Sequence, residues 1–134
     1  MSGLVLKLGP KERVLINGAV IENGDRRSRL AIMTPDAKIL RLRDAIHPED
    51  AKTPVRRALF AVQLVLSGDR EADAAHLPLL QQIEELSQVF TDPDSRQLLA
   101  EASQAIIEKQ HYRTLKALRS LLDREERLLA VRPN

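Results

Sequence analysis

The sequence predicts an α+β fold: an N-terminal five-stranded antiparallel β meander, followed by a bundle of about four α-helices that ends in an antiparallel helical hairpin. Two observations carry that prediction. Over the first forty-odd residues, apolar and β-branched residues come in short runs broken by turn dipeptides, which is the grammar of strands. From Asp50 onward those dipeptides give way to apolar residues three and four apart, which is the grammar of amphipathic helices. At 134 residues the chain fits the roughly 100–200 of one folded unit. Within it, residues 1–48 are expected to form a strand layer and residues 49–134 a helical part packed on it.

Each element follows from local chemistry. Leu4–Leu8 is the first strand, and Gly9-Pro10-Lys11-Glu12 is its turn. Residues 14–16 and 19–21 flank Asn17-Gly18, a pair that tolerates the positive φ of a type I′ hairpin turn. Asn23-Gly24-Asp25 is read as a second hairpin turn. Residues 29–33 and 38–42 complete the meander, separated by a turn at Thr34-Pro35-Asp36.

In the second half, Thr53 caps a helix that begins at Pro54, where a missing amide hydrogen costs nothing. Val55, Ala58, Leu59, Val62 and Leu66 make its buried stripe, and Gly68 ends it. Residues 58–66 are apolar almost all round, so this helix is expected between the sheet and the later helices. A second helix spans about residues 74–90, with Leu80, Ile83, Leu86 and Phe90 inward and its start blurred by Pro78. Asp92-Pro93 repeats the cap-then-proline signal and opens a third helix. After a break near residues 109–111, Tyr112, Leu115, Leu118, Leu122 and Leu129 line one side of a fourth that pairs antiparallel with the third. Glu125 interrupts that stripe where an apolar residue is expected.

The net charge of +2 is unevenly distributed: residues 1–57 hold twelve basic and seven acidic side chains, the remainder nine and twelve. The front is therefore cationic and the back mildly anionic. The chain has no cysteine, which excludes a disulfide framework and a thiolate metal site and fits a reducing, cytoplasmic setting. Its longest apolar stretch falls far short of the roughly 20 residues a membrane-spanning helix needs. His47, His76 and His111 lie in different elements without the i, i+4 spacing of a helical zinc site. No glycine-rich phosphate loop or nucleophile elbow is present. Glu84-Glu85 and Glu125-Glu126 read as solvated helix surface. The expectation is a chain with no catalytic residues, no metal and no cofactor.

Strand parity supplies the positive signal. Successive residues point to opposite faces, so Leu4, Leu6 and Leu8 leave Lys7 on the other side. Leu30 and Ile32 likewise oppose Arg29, and Leu40 and Leu42 oppose Arg41 and Arg43. With the leucines turned to the helices, these four cations are expected on one outward face, able to meet phosphates. Charged outer faces are also routine in half-solvated sheets, so the same pattern has a bland explanation. Phe60, Phe90 and Tyr112 are the only aromatic residues, and all lie in the helical part. RNA binding by stacking platforms is thereby disfavoured, and binding through cations would depend strongly on salt.

The turns and their flanks carry a family resemblance. Pro10-Lys11-Glu12-Arg13, Asn17-Gly18-Ala19-Val20-Ile21 and Asn23-Gly24-Asp25-Arg26-Arg27, followed by Leu40-Arg41, Pro48-Glu49-Asp50-Ala51 and Thr53-Pro54-Val55-Arg56-Arg57, are similar in order and spacing to the FlbT family of flagellar regulators. The helical half matches more loosely, around residues 112–119. The resemblance implies a post-transcriptional regulator that associates with the 5′ untranslated region of flagellin mRNA and lowers its translation or stability. It also implies a link to a second small regulator, FlaF, and to flagellin itself. The candidate RNA-binding residues are Lys7, Arg13, Arg26, Arg27, Arg29, Arg41 and Arg43. Arg26 and Arg27 also have a simpler reading as exposed turn charges, and Arg13 as a residue flanking a turn. The alternative is a protein-interaction adaptor using the C-terminal helical pair, and a homo-oligomer is compatible with either reading.

Overall fold

Strands precede helices in the computed structural model, which describes residues 4–35 and 37–130. The strands are β1 (Leu4–Leu8), β2 (Arg13–Ile16), β3 (Ala19–Glu22), β4 (Ser28–Ile32) and β5 (Ile39–Arg41). Short 3-10 turns at Leu42–Asp44 and Pro48–Asp50 lead into α1 (Pro54–Ser67), α2 (Ala72–Val89), α3 (Pro93–Ile107), α4 (His111–Arg119) and α5 (Leu122–Ala130). The turn expected at residues 34–36 is only partly visible, because Asp36 lies outside the described residues.

The five strands do not form one meander. They make two antiparallel sheets, a β1–β4 ribbon and a three-stranded sheet in the order β3-β2-β5. Asn17-Gly18 closes the β2–β3 hairpin as expected, with φ of 49° and 85° suited to a type I′ turn. Asn23-Gly24 does not close a hairpin, since β3 and β4 are not paired. The Asn23 amide instead pins the chain where it passes between sheets: Nδ2 donates to the Gly9 and Arg26 carbonyls at 2.7 and 2.9 Å, and Oδ1 accepts from Ser28 Oγ at 2.7 Å. β4 then returns to β1 with Leu6 opposite Leu30 and Lys7 opposite Arg29.

Stacking of the two sheets creates a small apolar core of Leu6, Leu8, Val14 and Ile39, flanked by Leu4, Ile16, Leu30 and Ile32. The other face of β2 and β5 turns Leu15 and Leu40 into a larger core shared with the helices. The layers are thus ribbon, sheet and helical bundle, and Tyr112 packs against both cores.

α1 is the central helix, with Val55, Ala58, Leu59, Val62, Val65 and Leu66 buried. Thr53 Oγ1 accepts from the Arg56 amide at 3.2 Å, and Gly68 ends the helix in the left-handed region at φ 86°. Pro78 lies inside α2, in a helix whose neighbouring Ala75 and Leu79 are buried, so packing overrides the local break. The stretch after residue 111 is not one helix. It breaks at Ser120 and Leu121, where Leu121 is buried, and α5 returns Glu125 to the start of α1. There the buried Glu125 carboxylate accepts from the Thr53 hydroxyl and from the Val55 amide at 2.9 Å. The acid that interrupts the leucine stripe is thus a long-range cap for the first turn of α1.

Candidate functional site

The cations predicted for one outward face are divided between two environments. The expected single face is corrected by the second sheet, because the β1–β4 ribbon covers the side of β5 on which Arg41 lies. Arg41 is opposite Val14 in the β2–β5 ladder, so it shares the face that builds the small core. Its side chain is only 12% exposed, and that of its partner Glu12 is 8% exposed. Arg43 is not on a strand at all, since β5 ends at Arg41 and residues 42–44 form a 3-10 turn.

Glu12 organises this junction. Its Oε2 accepts from Arg41 Nε at 2.7 Å, while Oε1 accepts from Arg41 Nη2 at 2.8 Å and from the Gly9 amide at 2.9 Å. A two-pronged guanidinium–carboxylate pair of this kind is strong and directional. Arg41 Nη2 also donates to the Lys7 carbonyl, which ties β5 to β1, and Arg43 Nε stands 3.5 Å from Glu12. The Arg41 hydrogen bonds, helped by the Gly9 amide and by the charges of Arg41 and Arg43, outweigh burial and hold the Glu12 carboxyl at about 2. The same bonds push Arg41 still further toward its protonated form. This junction locks the two sheets together.

The β1–β4 ribbon is different. Leu4, Leu6, Leu8, Leu30 and Ile32 turn inward, leaving Val5, Lys7, Arg29 and Ala31 exposed on the outer face. Lys7 and Arg29 are directly opposite one another, and neither has a carboxylate within ion-pair distance among the described residues. Like charges in that arrangement repel and are relieved when an anion bridges them. Arg26 and Arg27 are exposed in the bend leading into β4, at the same end of the ribbon. Arg13 lies elsewhere, in an exposed pair with Glu22 at 2.8 Å that lowers the Glu22 carboxyl. Lys7 and Arg29 therefore face each other on the ribbon with Arg26 and Arg27 in the bend before β4, whereas the Arg41 guanidinium is tied into the junction beneath them, Arg43 stands by Glu12 and Arg13 pairs with Glu22.

These strands and helices belong to a recognisable group. A family model described as "Flagellar protein FlbT" matches residues 4–129, spanning both the strand layers and the helices. The chain belongs to the FlbT family. It is 31% identical over 126 residues to the "Probable flagellum biosynthesis repressor protein FlbT" of Caulobacter sp. (strain K31), covering 94% of this chain and 95% of that one. It is 35% identical over 127 residues to the protein of the same name from Rhodopseudomonas palustris (strain TIE-1), covering 95% and 98% respectively. The "Flagellum biosynthesis repressor protein FlbT" of Caulobacter vibrioides (strain ATCC 19089) is 29% identical over 126 residues, covering 94% of this chain and 89% of that one. No solved structure matches.

Elsewhere this FlbT-family chain has a cleft of about 540 Å³ between the ribbon's end and the α3–α4 turn, lined by residues including Lys38, Lys109, His111 and Tyr112. Burial foremost, with His76 and Lys38 nearby, pushes the His111 imidazole below its usual range. Among the described residues, no group of three or more metal-ligating side chains comes together, and no helix is long and apolar enough to cross a membrane. Sequence reasoning overlooked Glu12 and Glu125, the two carboxylates that hold separate elements together. Glu125 had left a signal, as an acid inside an apolar stripe. Glu12 had left none, because an acid in a turn is ordinary.

Proposed function

We propose that this chain is a non-enzymatic, cytoplasmic regulator of flagellin synthesis that binds the 5′ untranslated region of flagellin mRNA and represses its translation or promotes its decay. Membership of the FlbT family and the repressor names of the relatives support the flagellar role. The observation that carries the RNA contact is the Lys7–Arg29 pair, two exposed cations facing each other with no carboxylate at ion-pair distance among the described residues and with Arg26 and Arg27 in the bend before β4. Phosphates relieve that repulsion, and arginine adds two-pronged contacts to phosphate or guanine edges. Arg41 supports the surface from behind by holding the Lys7 carbonyl, Arg43 adds charge beside Glu12, and Arg13 lies at the margin.

Fluorescence anisotropy with a flagellin leader RNA across a salt series tests this reading. Replacing Lys7 and Arg29 together by alanine is expected to weaken binding and to flatten the log K against log salt slope by about 1.4–1.8, at about 0.7–0.9 per lost phosphate contact. Unchanged affinity and slope in a folded double variant overturn the assignment.

The adaptor reading has its own observation: Leu128 and Leu129 of α5 are exposed. On that reading a protein such as FlaF or flagellin docks on the last helix and RNA is affected indirectly. Loss of partner capture on Leu128→Ser plus Leu129→Ser, with leader binding absent from the unmodified protein, would favour it.

A further inference from the structure

A sheet edge with free backbone groups is a template for another strand, and proteins normally guard it with charge, proline, a bulge or a covering element. Three of the outer strands here are guarded. On β1 the Lys7 carbonyl is taken by Arg41, β4 carries Arg29 and is preceded by Arg26 and Arg27, and β5 is three residues long and runs straight into a 3-10 turn. β3 is the least guarded. Its sequence is Ala-Val-Ile-Glu, all four residues are exposed, and β2 lies on one side of it only. Val20 is 62% and Ile21 38% exposed. The one charge, Glu22, is neutralised by Arg13 at 2.8 Å.

We propose that β3 is a self-association edge and that its occupant is β3 of a second copy of this chain, paired antiparallel about a two-fold axis at Ile21. The hairpin fixes which backbone groups are available. In a two-residue type I′ hairpin the residues next to the turn, Ile16 and Ala19, exchange hydrogen bonds, and such pairs alternate along the ladder. Ala19 and Ile21 therefore use their N–H and C=O toward β2, and the Asn23 amide continues that side by donating to the Glu12 carbonyl at 2.8 Å. Val20 and Glu22 direct theirs outward.

Among two-fold registers, the one setting Val20 opposite Glu22 of the second copy pairs all of these outward groups. Centring the axis on Glu22 would oppose two carboxylates, and centring it on Val20 would pair only half of the groups. The chosen register puts Ile21 against its own copy as a close, non-hydrogen-bonded pair, apolar on apolar. An edge that is apolar and charge-neutral, with outward donors and acceptors that repeat under a two-fold, fits its own copy without repulsion. A contact between two four-residue strands is small beside the roughly 1,000 Å² of a stable interface, so the dimer is expected at high protein concentration. It joins two three-stranded sheets into one of six strands and places both β1–β4 ribbons on the same side, so an RNA that engages both strengthens it.

The chain lacks cysteine, so single-cysteine variants of the full-length protein read the register directly. At the axis the Cα atoms of the two copies are about 4.5 Å apart, within reach of a disulfide. Position 20 meets its own copy only diagonally, at about 7–8 Å. Under mild oxidation Ile21→Cys is expected to form a covalent dimer at least tenfold faster than Val20→Cys. Random collision predicts the reverse order, because position 20 is the more exposed. Val20→Pro removes only an outward N–H, and is expected to leave circular dichroism unchanged while shifting sedimentation to the monomer; Val20→Lys serves if the proline variant does not fold. Crosslinking at position 20 as fast as at 21 overturns the proposal. So does a monomer at the highest soluble concentration of the unmodified protein, or a dimer that survives both substitutions at position 20.

Discussion

Arg29 and Arg41 carry the same parity signal, a cation adjoining an inward strand leucine (Leu30 and Leu40), yet they occupy opposite physical situations. Arg29 lies on the outside of a two-stranded ribbon, facing Lys7 and water. Arg41 lies on a face that this ribbon covers, clasped by Glu12 and bonded to the Lys7 carbonyl. Parity decides which face a side chain takes, but it does not decide whether that face meets solvent or another sheet. The difference separates two roles: the ribbon presents charge, and the junction behind it uses charge to fix the ribbon in place.

The contrast can be broken most severely at the junction. Arg41→Ala leaves the largely covered Glu12 carboxylate without its main partner, and is expected to cost about 2–3 kcal/mol in urea unfolding, below the full penalty of a wholly buried pair. A loss under about 0.5 kcal/mol would place Arg41 with the surface cations after all. Glu125→Ala tests the other long-range carboxylate. Removing the cap on Val55 and Thr53 is expected to cost about 1–2 kcal/mol and to fray the start of α1, as read by amide exchange at residues 54–57.

Acid sharpens the comparison without a change in shape. The Glu12 carboxyl is held at about 2 in the folded protein against an ordinary value of 4.5. Its contribution is complete above about pH 4.5 and is lost as the pH falls from 4.5 toward 2, since the unfolded chain takes up the proton first. In Glu12→Gln that part of the stability-against-pH slope is expected to vanish, and an unchanged slope would contradict the pairing. The smallest effect belongs to the ribbon. Lys7→Ala plus Arg29→Ala is expected to leave stability unchanged or to raise it by about 0.2–1 kcal/mol, as two facing like charges are removed. A clear loss of stability would mean that these cations hold the fold and are not free for a ligand.

How much could be read in advance follows the range of the interaction. Thr53-Pro54 and Asp92-Pro93 start their helices where expected, and Gly68 ends α1, because caps and stops involve only the adjacent turn. Asn17-Gly18 closes its hairpin for the same reason. Asn23-Gly24 fails as a hairpin although its dipeptide is as favourable, because the flanking strands find better partners in other layers. The break at Ser120 was hidden, since Leu115, Leu118 and Leu122 keep an unbroken apolar rhythm across it. Of the candidate site, Lys7 and Arg29 were legible as outward cations, whereas their separation from Arg41 was not.

By itself, then, the sequence determined the class of fold, the β2–β3 hairpin, the helix starts, the cationic bias of the N-terminal half and the likeness to FlbT proteins. These rest on residue chemistry acting over a few positions. Only the tertiary structure decided that β1 would pair with β4, that the strands would split into two stacked sheets, and that Glu12 and Glu125 would clamp distant elements. Those outcomes depend on which apolar faces bury each other and which polar groups must be satisfied once they do, a competition among segments that no local pattern encodes.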